Sequence, residues 1–81
     1  MKVDIKNLKI NMIVNLTRDY LVLRKNAQVG VAYNDETLYV TIASERIGCN
    51  FTIDIGYLLD NIEVETLIVE LIEEIEIQLE D

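Results

Sequence analysis

Three carboxylates lie close together near the C-terminus, Glu70, Glu73 and Glu74, and oxygen ligands so grouped could hold Mg²⁺ or Ca²⁺. Hard-cation sites also recruit backbone carbonyls and a shaped loop, and the spacing here matches no EF-hand. The cluster therefore reads as a solvated acidic face. Nucleophilic chemistry of the Ser-His or Cys-His kind is closed, because the chain has no histidine to activate a hydroxyl or thiol. Its one cysteine, Cys49, alternates with Phe51, Ile53 and Ile55. That spacing predicts the buried side of a strand, where a thiol behaves as a small inert hydrophobe. A glycosidase carboxylate pair needs a cleft that so short a chain hardly offers. The expectation is a protein that is not an enzyme and takes neither cofactor nor metal.

Charge carries more information. The chain has 81 residues, 15 acidic and 7 basic, for a net charge of −8. Residues 1 to 25 hold Lys2, Lys6, Lys9, Arg18, Arg24 and Lys25 against two acids, whereas residues 60 to 81 hold nine acids and no base. Asymmetry of this kind implies a charged partner, or one end of the chain neutralising the other. The basic N-terminal region and the tyrosines Tyr20, Tyr33, Tyr39 and Tyr57 raise the question of base stacking on single strands. The net charge opposes it, since nucleic-acid affinity rests on neutralising phosphates. No direct nucleic-acid contact is expected.

A chain of this length forms one domain, residues 1–81, and buries only roughly 60 % of the surface exposed by its unfolded form. Such domains commonly need a staple. A lone cysteine makes no internal disulfide, so self-association is the staple left, and a homodimer is expected. Unpaired cysteine also fits a reducing compartment. MKVDIKNLKI lacks the apolar core of a signal peptide, and no apolar run is long enough to span a bilayer. The expected location is cytoplasmic, with no membrane contact.

The elements that must carry these residues follow from apolar periodicity. Leu8, Ile10, Met12, Val14 and Leu16 alternate with mostly polar neighbours, the period of a half-buried strand. Tyr20 to Leu23 reads as a second, covered strand. Taken instead at helical spacing, Ile5, Leu8, Met12, Leu16, Tyr20 and Leu23 form one stripe. Val29, Val31 and Tyr33, then Asn34-Asp35-Glu36, then Leu38, Val40 and Ile42 make a hairpin. Cys49 to Ile55 is a further strand ended by Gly56. From Asp60 the period becomes 3.6, and Val64, Leu67, Ile68, Leu71, Ile72, Ile75 and Leu79 share one helix face, with Asp60 or Asn61 as its N-cap. The fold class is α+β: a small antiparallel meander of about 4–5 strands with a long acidic amphipathic C-terminal helix packed across it. The alternative is αβββα, should residues 4–24 be helical.

On that helix, Glu63, Glu70, Glu74 and Asp81 fall together away from the apolar face, with Glu73 beside them and Ile62, Val69 and Ile77 on the same outer surface. Like charges at i,i+4, such as Glu70 with Glu74, weaken an isolated helix. An all-acidic face with scattered apolar residues is what a basic, partly apolar groove would accept. The expected function is a non-catalytic protein-binding module. By charge and size it would be a small acidic inhibitor or DNA-mimic-like protein of the phage or mobile-element type, as some anti-CRISPR proteins are. It would dock on a basic nucleic-acid-binding surface through Glu63, Glu70, Glu73, Glu74, Ile77 and Asp81. The alternative is a self-associating structural or regulatory-subunit module. Its homodimer seam would be Val64, Ile68, Leu71 and Ile75, with Asn61 and Gln78 at the ends.

Overall fold

The structure, a computed structural model, describes residues 4–43, 48–60 and 63–80. It is α+β, in the order α1 Ile5–Lys25, β1 Gln28–Asn34, β2 Thr37–Ala43, β3 Gly48–Asp54, α2 Gly56–Leu59 and α3 Val64–Leu79. The three strands form one antiparallel sheet in the order β1-β2-β3. The expected N-terminal strands are absent: residues 8–23 belong to one continuous helix, so the meander has three strands and the helix-first arrangement holds.

Several local features make α1 a helix. The Asp4 side chain caps its start, accepting from the Asn7 backbone N–H at 3.2 Å. Asn26 closes it in the left-handed conformation (φ 50°), which asparagine tolerates, and its N–H reaches the Val22 carbonyl at 2.9 Å. Arg24 and Lys25 lie in the last turn, where the helix dipole favours cations. Ile13, Thr17 and Leu21, four residues apart, are fully buried. Ile10, Met12, Val14 and Leu16 are half-buried on the two flanks of that ridge. Apolar flanks on both sides of a helical ridge mimic a period of two when read along the chain.

Thr17 is the polar letter that hid the ridge. Its side chain is fully buried and its Oγ1 has no hydrogen-bond partner. A buried hydroxyl without a partner costs stability. Thr17→Val, which keeps the branched shape, is expected to raise the unfolding free energy by about 1 kcal/mol. The check is a urea midpoint that rises at unchanged slope; a lower midpoint would mean that the hydroxyl is satisfied.

The hairpin between β1 and β2 forms where the sequence places it. Asn34 pairs with Thr37, and the two residues between them, Asp35 and Glu36, both take positive φ (49° and 62°). That is the turn whose twist suits a two-residue hairpin. Glu36 also accepts the Ile55 N–H through its carbonyl at 2.9 Å, tying the turn to the exit of β3.

Both long helices cover one face of the sheet, α1 over β1 and α3 over β3. The core between the layers is Ile13 and Leu21 from α1, Leu38, Val40 and Ile42 from β2, Ile53 and Ile55 around the end of β3, Leu58, and Leu67, Leu71 and Ile75 from α3. The other sheet face is open, with Gly30, Ala32, Tyr39, Thr41, Asn50 and Thr52 exposed. The C-terminal helix starts later than expected. Its N-cap is Glu63, and the separate short helix α2 precedes it. Asp60 ends α2, and Asn61 lies outside the described residues. No helix of the described residues is long and apolar enough to cross a membrane.

Candidate functional site

The acids of α3 divide into three groups once the helix is placed. Its buried ridge is Leu67, Leu71 and Ile75, each fully buried. Directly outward, on the opposite side, stand Glu65, Val69, Glu73 and Ile77, four residues apart and all exposed. Val69 and Ile77 are each 55 % exposed. Acid and hydrophobe therefore alternate along one ridge about 18 Å long, and α3 holds no basic residue. A shallow depression lined by Glu65, Thr66, Val69, Glu70 and Glu73 runs beside it.

The second group faces α2. Glu70 and Glu74, expected on the outer face, are half-buried. They flank Tyr57, whose phenol is held above its ordinary pKa, first by burial and then by the charge and hydrogen bonding of Glu74, with Glu70 and Asp54 adding to it. Spacing alone placed these two glutamates on the wrong flank, because the buried ridge is centred on Leu71 and the wider apolar set shifts the apparent outward direction.

The third group is Glu76 alone, which joins α3 to α1. Its Oε1 accepts from the Tyr20 hydroxyl and from Arg24 Nε at 3.1 Å. Near the other end of α1, Lys9 Nζ donates to the Leu59 carbonyl of α2 at 3.0 Å. Part of the basic N-terminal charge therefore meets the acidic helix within one chain. The Tyr20 hydrogen bond, then that of Arg24, holds the Glu76 carboxyl below its ordinary value. A lowered folded value means stability that is present above the ordinary carboxylate range and is lost as pH falls through the folded value. Glu76→Gln is therefore expected to be less stable than wild type at neutral pH, with the gap closing in acid. Urea midpoints of both chains across pH 7 to about 3 give the check; a gap independent of pH would contradict the link.

The remaining expected residues fall as follows. Glu63 is exposed at the N-cap, Glu73 and Ile77 are on the outward ridge, and Asp81 lies outside the described residues. Glu65 and Val69 complete the ridge and were not among the expected contacts; their four-residue spacing to Glu73 and Ile77 was the signal available. Of the seam residues, Val64 is exposed and Ile68 half-buried, but Leu71 and Ile75 are spent on the core of their own chain. A helix–helix seam through those two is not open to a partner.

Cys49 also departs from expectation, since it is exposed. It does share the core-facing side of β3 with Phe51 and Ile53, but cover thins along the strand: Ile53 is buried, Phe51 half-buried and Cys49 open. Labelling of the native protein by a thiol reagent should therefore proceed at nearly the rate seen in denaturant. Strong protection would restore Cys49 to the core.

A cleft lies at the end where α1, the hairpin turn and α2 meet. It brings Lys6 and Lys9 near Glu36, Asp54 and Asp60. Opposite charges face each other there, and Lys9 is already engaged by the Leu59 carbonyl.

The chain is thus a small α+β domain whose most distinctive exposed feature is an acidic-apolar helix ridge. No protein-family model matches it, and neither the curated proteins nor the solved structures contain a match.

Proposed function

We propose that this chain is a non-catalytic protein-binding module, a small acidic inhibitor that docks α3 on a basic, partly apolar surface of another protein. The surface best suited is one that otherwise holds nucleic acid, which makes the chain a DNA-mimic-like protein of the kind phages and mobile elements use, anti-CRISPR proteins among them. One observation supports this reading: the exposed ridge Glu65, Val69, Glu73 and Ile77 on a helix without a base. Carboxylates at two positions steer the encounter and set the register, while the two hydrophobes between and beyond them supply desolvated contact. A face serving only solubility has no use for valine and isoleucine at every second step of the ridge.

The experiment is a paired pull-down from the native host, with wild type and the double variant Glu65→Lys/Glu73→Lys as baits. The reading requires a protein with a basic surface that is retained by wild type and lost from the variant. Identical captures from both baits would remove α3 from the docking role.

A further inference from the structure

The order β1-β2-β3 makes β3 an edge strand, and the ladder fixes which of its backbone groups look outward. The Ile55 N–H donates to the Glu36 carbonyl, one step beyond the pair Asp54 and Thr37. Bonded pairs alternate with unbonded ones in an antiparallel ladder, so Ile53, Phe51 and Cys49 bond to Leu38, Val40 and Ile42. The N–H and C=O of Asn50 and Thr52 therefore point away from β2, and no hydrogen bond from a described residue reaches them. Edge strands are commonly guarded by lysine, proline or a bulge. β3 has none of these, and its register with β2 is unbroken from Gly48 to Asp54. We propose that this edge takes an extended, lysine- or arginine-rich segment of a partner protein as a fourth, antiparallel strand, with an apolar side chain at every second position.

Backbone chemistry sets the conformation of the occupant. Donors and acceptors that recur on every second residue, about 7 Å apart, match another extended backbone. The two sides of β3 set the side-chain pattern. On the helix side, cover thins from buried Ile53 to half-buried Phe51 and exposed Cys49, which leaves an apolar shelf beside Phe51 for incoming side chains. On the open side Asn50 and Thr52 are exposed, next to an uncharged depression that includes Tyr39 and Thr41. Long basic side chains can lie there with their heads in water.

Charge sets the sign. Residues 48 to 80 hold nine acids and no base, and the helix packed over β3 is α3. A strand laid along β3 sits beside that charge, where basic side chains gain and acidic ones lose. Lys6 and Lys9 share a cleft with Asp54, the last residue of β3, so the bases of the occupant belong level with Asn50 and Thr52, before that cleft. The other edge, β1, offers neither feature. It packs against α1, whose last turn is basic, and its helix side, Val29, Val31 and Tyr33, is evenly half-buried. The contact uses the β3 backbone rather than the outward ridge of α3, and it does not rest on the proposed function.

The probe is a seven-residue peptide of alternating lysine and valine, lysine first and last, acetylated and amidated, with binding followed by fluorescence anisotropy at about 0.15 M salt. Wild type should bind it. Hydrogen exchange should then slow at the Asn50 and Thr52 amides, while the Cys49 and Phe51 amides, already bonded to β2, keep their rates. Methylating the backbone nitrogens of the second and third lysines, which come level with Thr52 and Asn50, should weaken binding about 10-fold or more with every charge kept. The same residues rearranged as a lysine block and a valine block should lose as much. Asn50→Pro removes one outward N–H and leaves the β2 ladder whole, so it too should cost about 10-fold. Asn50→Lys/Thr52→Lys places guard charges at two exposed positions without a backbone change. It should weaken the lysine peptide about 10-fold and tighten a glutamate–valine version, with circular dichroism unchanged. Glu65→Lys/Glu73→Lys leaves the edge intact and should alter this binding by less than about 3-fold, so capture by the α3 ridge can fail or succeed separately. No binding at millimolar peptide, equal binding of the block peptide, indifference to Asn50→Lys/Thr52→Lys, or unchanged exchange at Asn50 and Thr52 would each overturn the proposal. A dimer of the free chain that Asn50→Lys/Thr52→Lys dissolves would make a second copy the occupant and overturn it as well.

Discussion

Leu71→Ala is expected to lower the unfolding free energy by about 3 kcal/mol. Leu71 is fully buried at the centre of the α3 ridge, between Leu67 and Ile75 and in the same cluster as Leu38, Val40 and Ile53. Truncation removes transfer free energy and leaves a cavity that close-packed neighbours fill only in part. A domain of this length holds roughly 4–12 kcal/mol in all, so the loss is a large fraction, equivalent to a fall in Tm of roughly 15 °C. Val69→Ala, on the outward face of the same helix, should change stability by less than about 0.5 kcal/mol. Thermal or urea unfolding at two protein concentrations checks both. If the Leu71 effect grew on dilution, the residue would belong to an interchain seam rather than to the core.

Reversing the ridge with Glu65→Lys/Glu73→Lys should do the converse, leaving stability nearly unchanged while partner affinity falls by roughly 2 kcal/mol or more, about 30-fold. Both glutamates are exposed and neither contacts the core, so no buried group loses a partner. Reversal also relieves like-charge crowding on a helix that has no base of its own. Association of the wild type should slow as ionic strength rises, because steering across the encounter distance is screened. Glu70 and Glu74 are left out of this variant because they flank Tyr57, and changing them would mix a packing defect with a binding one.

How much of this was legible without coordinates depends on the element. The hairpin read correctly because Asn34-Asp35-Glu36 lies between two clean alternations, and a two-residue turn fixes the register of both strands. The C-terminal helix read correctly in type because Leu67, Leu71 and Ile75 repeat at helical spacing. Its start was misplaced, since Glu63 caps it by backbone geometry alone, with no side-chain cap bond. The N-terminal helix was misread as strands for two physical reasons. The even-numbered apolar residues sit on both flanks of its buried ridge, and the ridge itself contains Thr17. Periodicity registers letters, whereas burial here accepted a hydroxyl. Cys49 failed differently: alternation correctly gives the side of the strand a residue faces, but not how far along the strand the helices extend their cover. The site was half legible. The acidity of α3 was plain, but its outward direction depends on which of its apolar residues the sheet and α1 take. Glu76 turned out to bind Tyr20 and Arg24, a contact across 52 and 56 positions that no local pattern encodes.

The most direct measurement of the central claim is competition on the captured partner. With a labelled oligonucleotide bound to that protein, titration with wild type should displace the oligonucleotide. Glu65→Lys/Glu73→Lys should require at least about 30-fold more protein for the same displacement, and Leu71-proximal packing, monitored by circular dichroism, should be intact in both. Equal displacement by wild type and variant, or an oligonucleotide that stays bound while wild type binds elsewhere, would contradict docking of the acidic ridge on a nucleic-acid-binding surface.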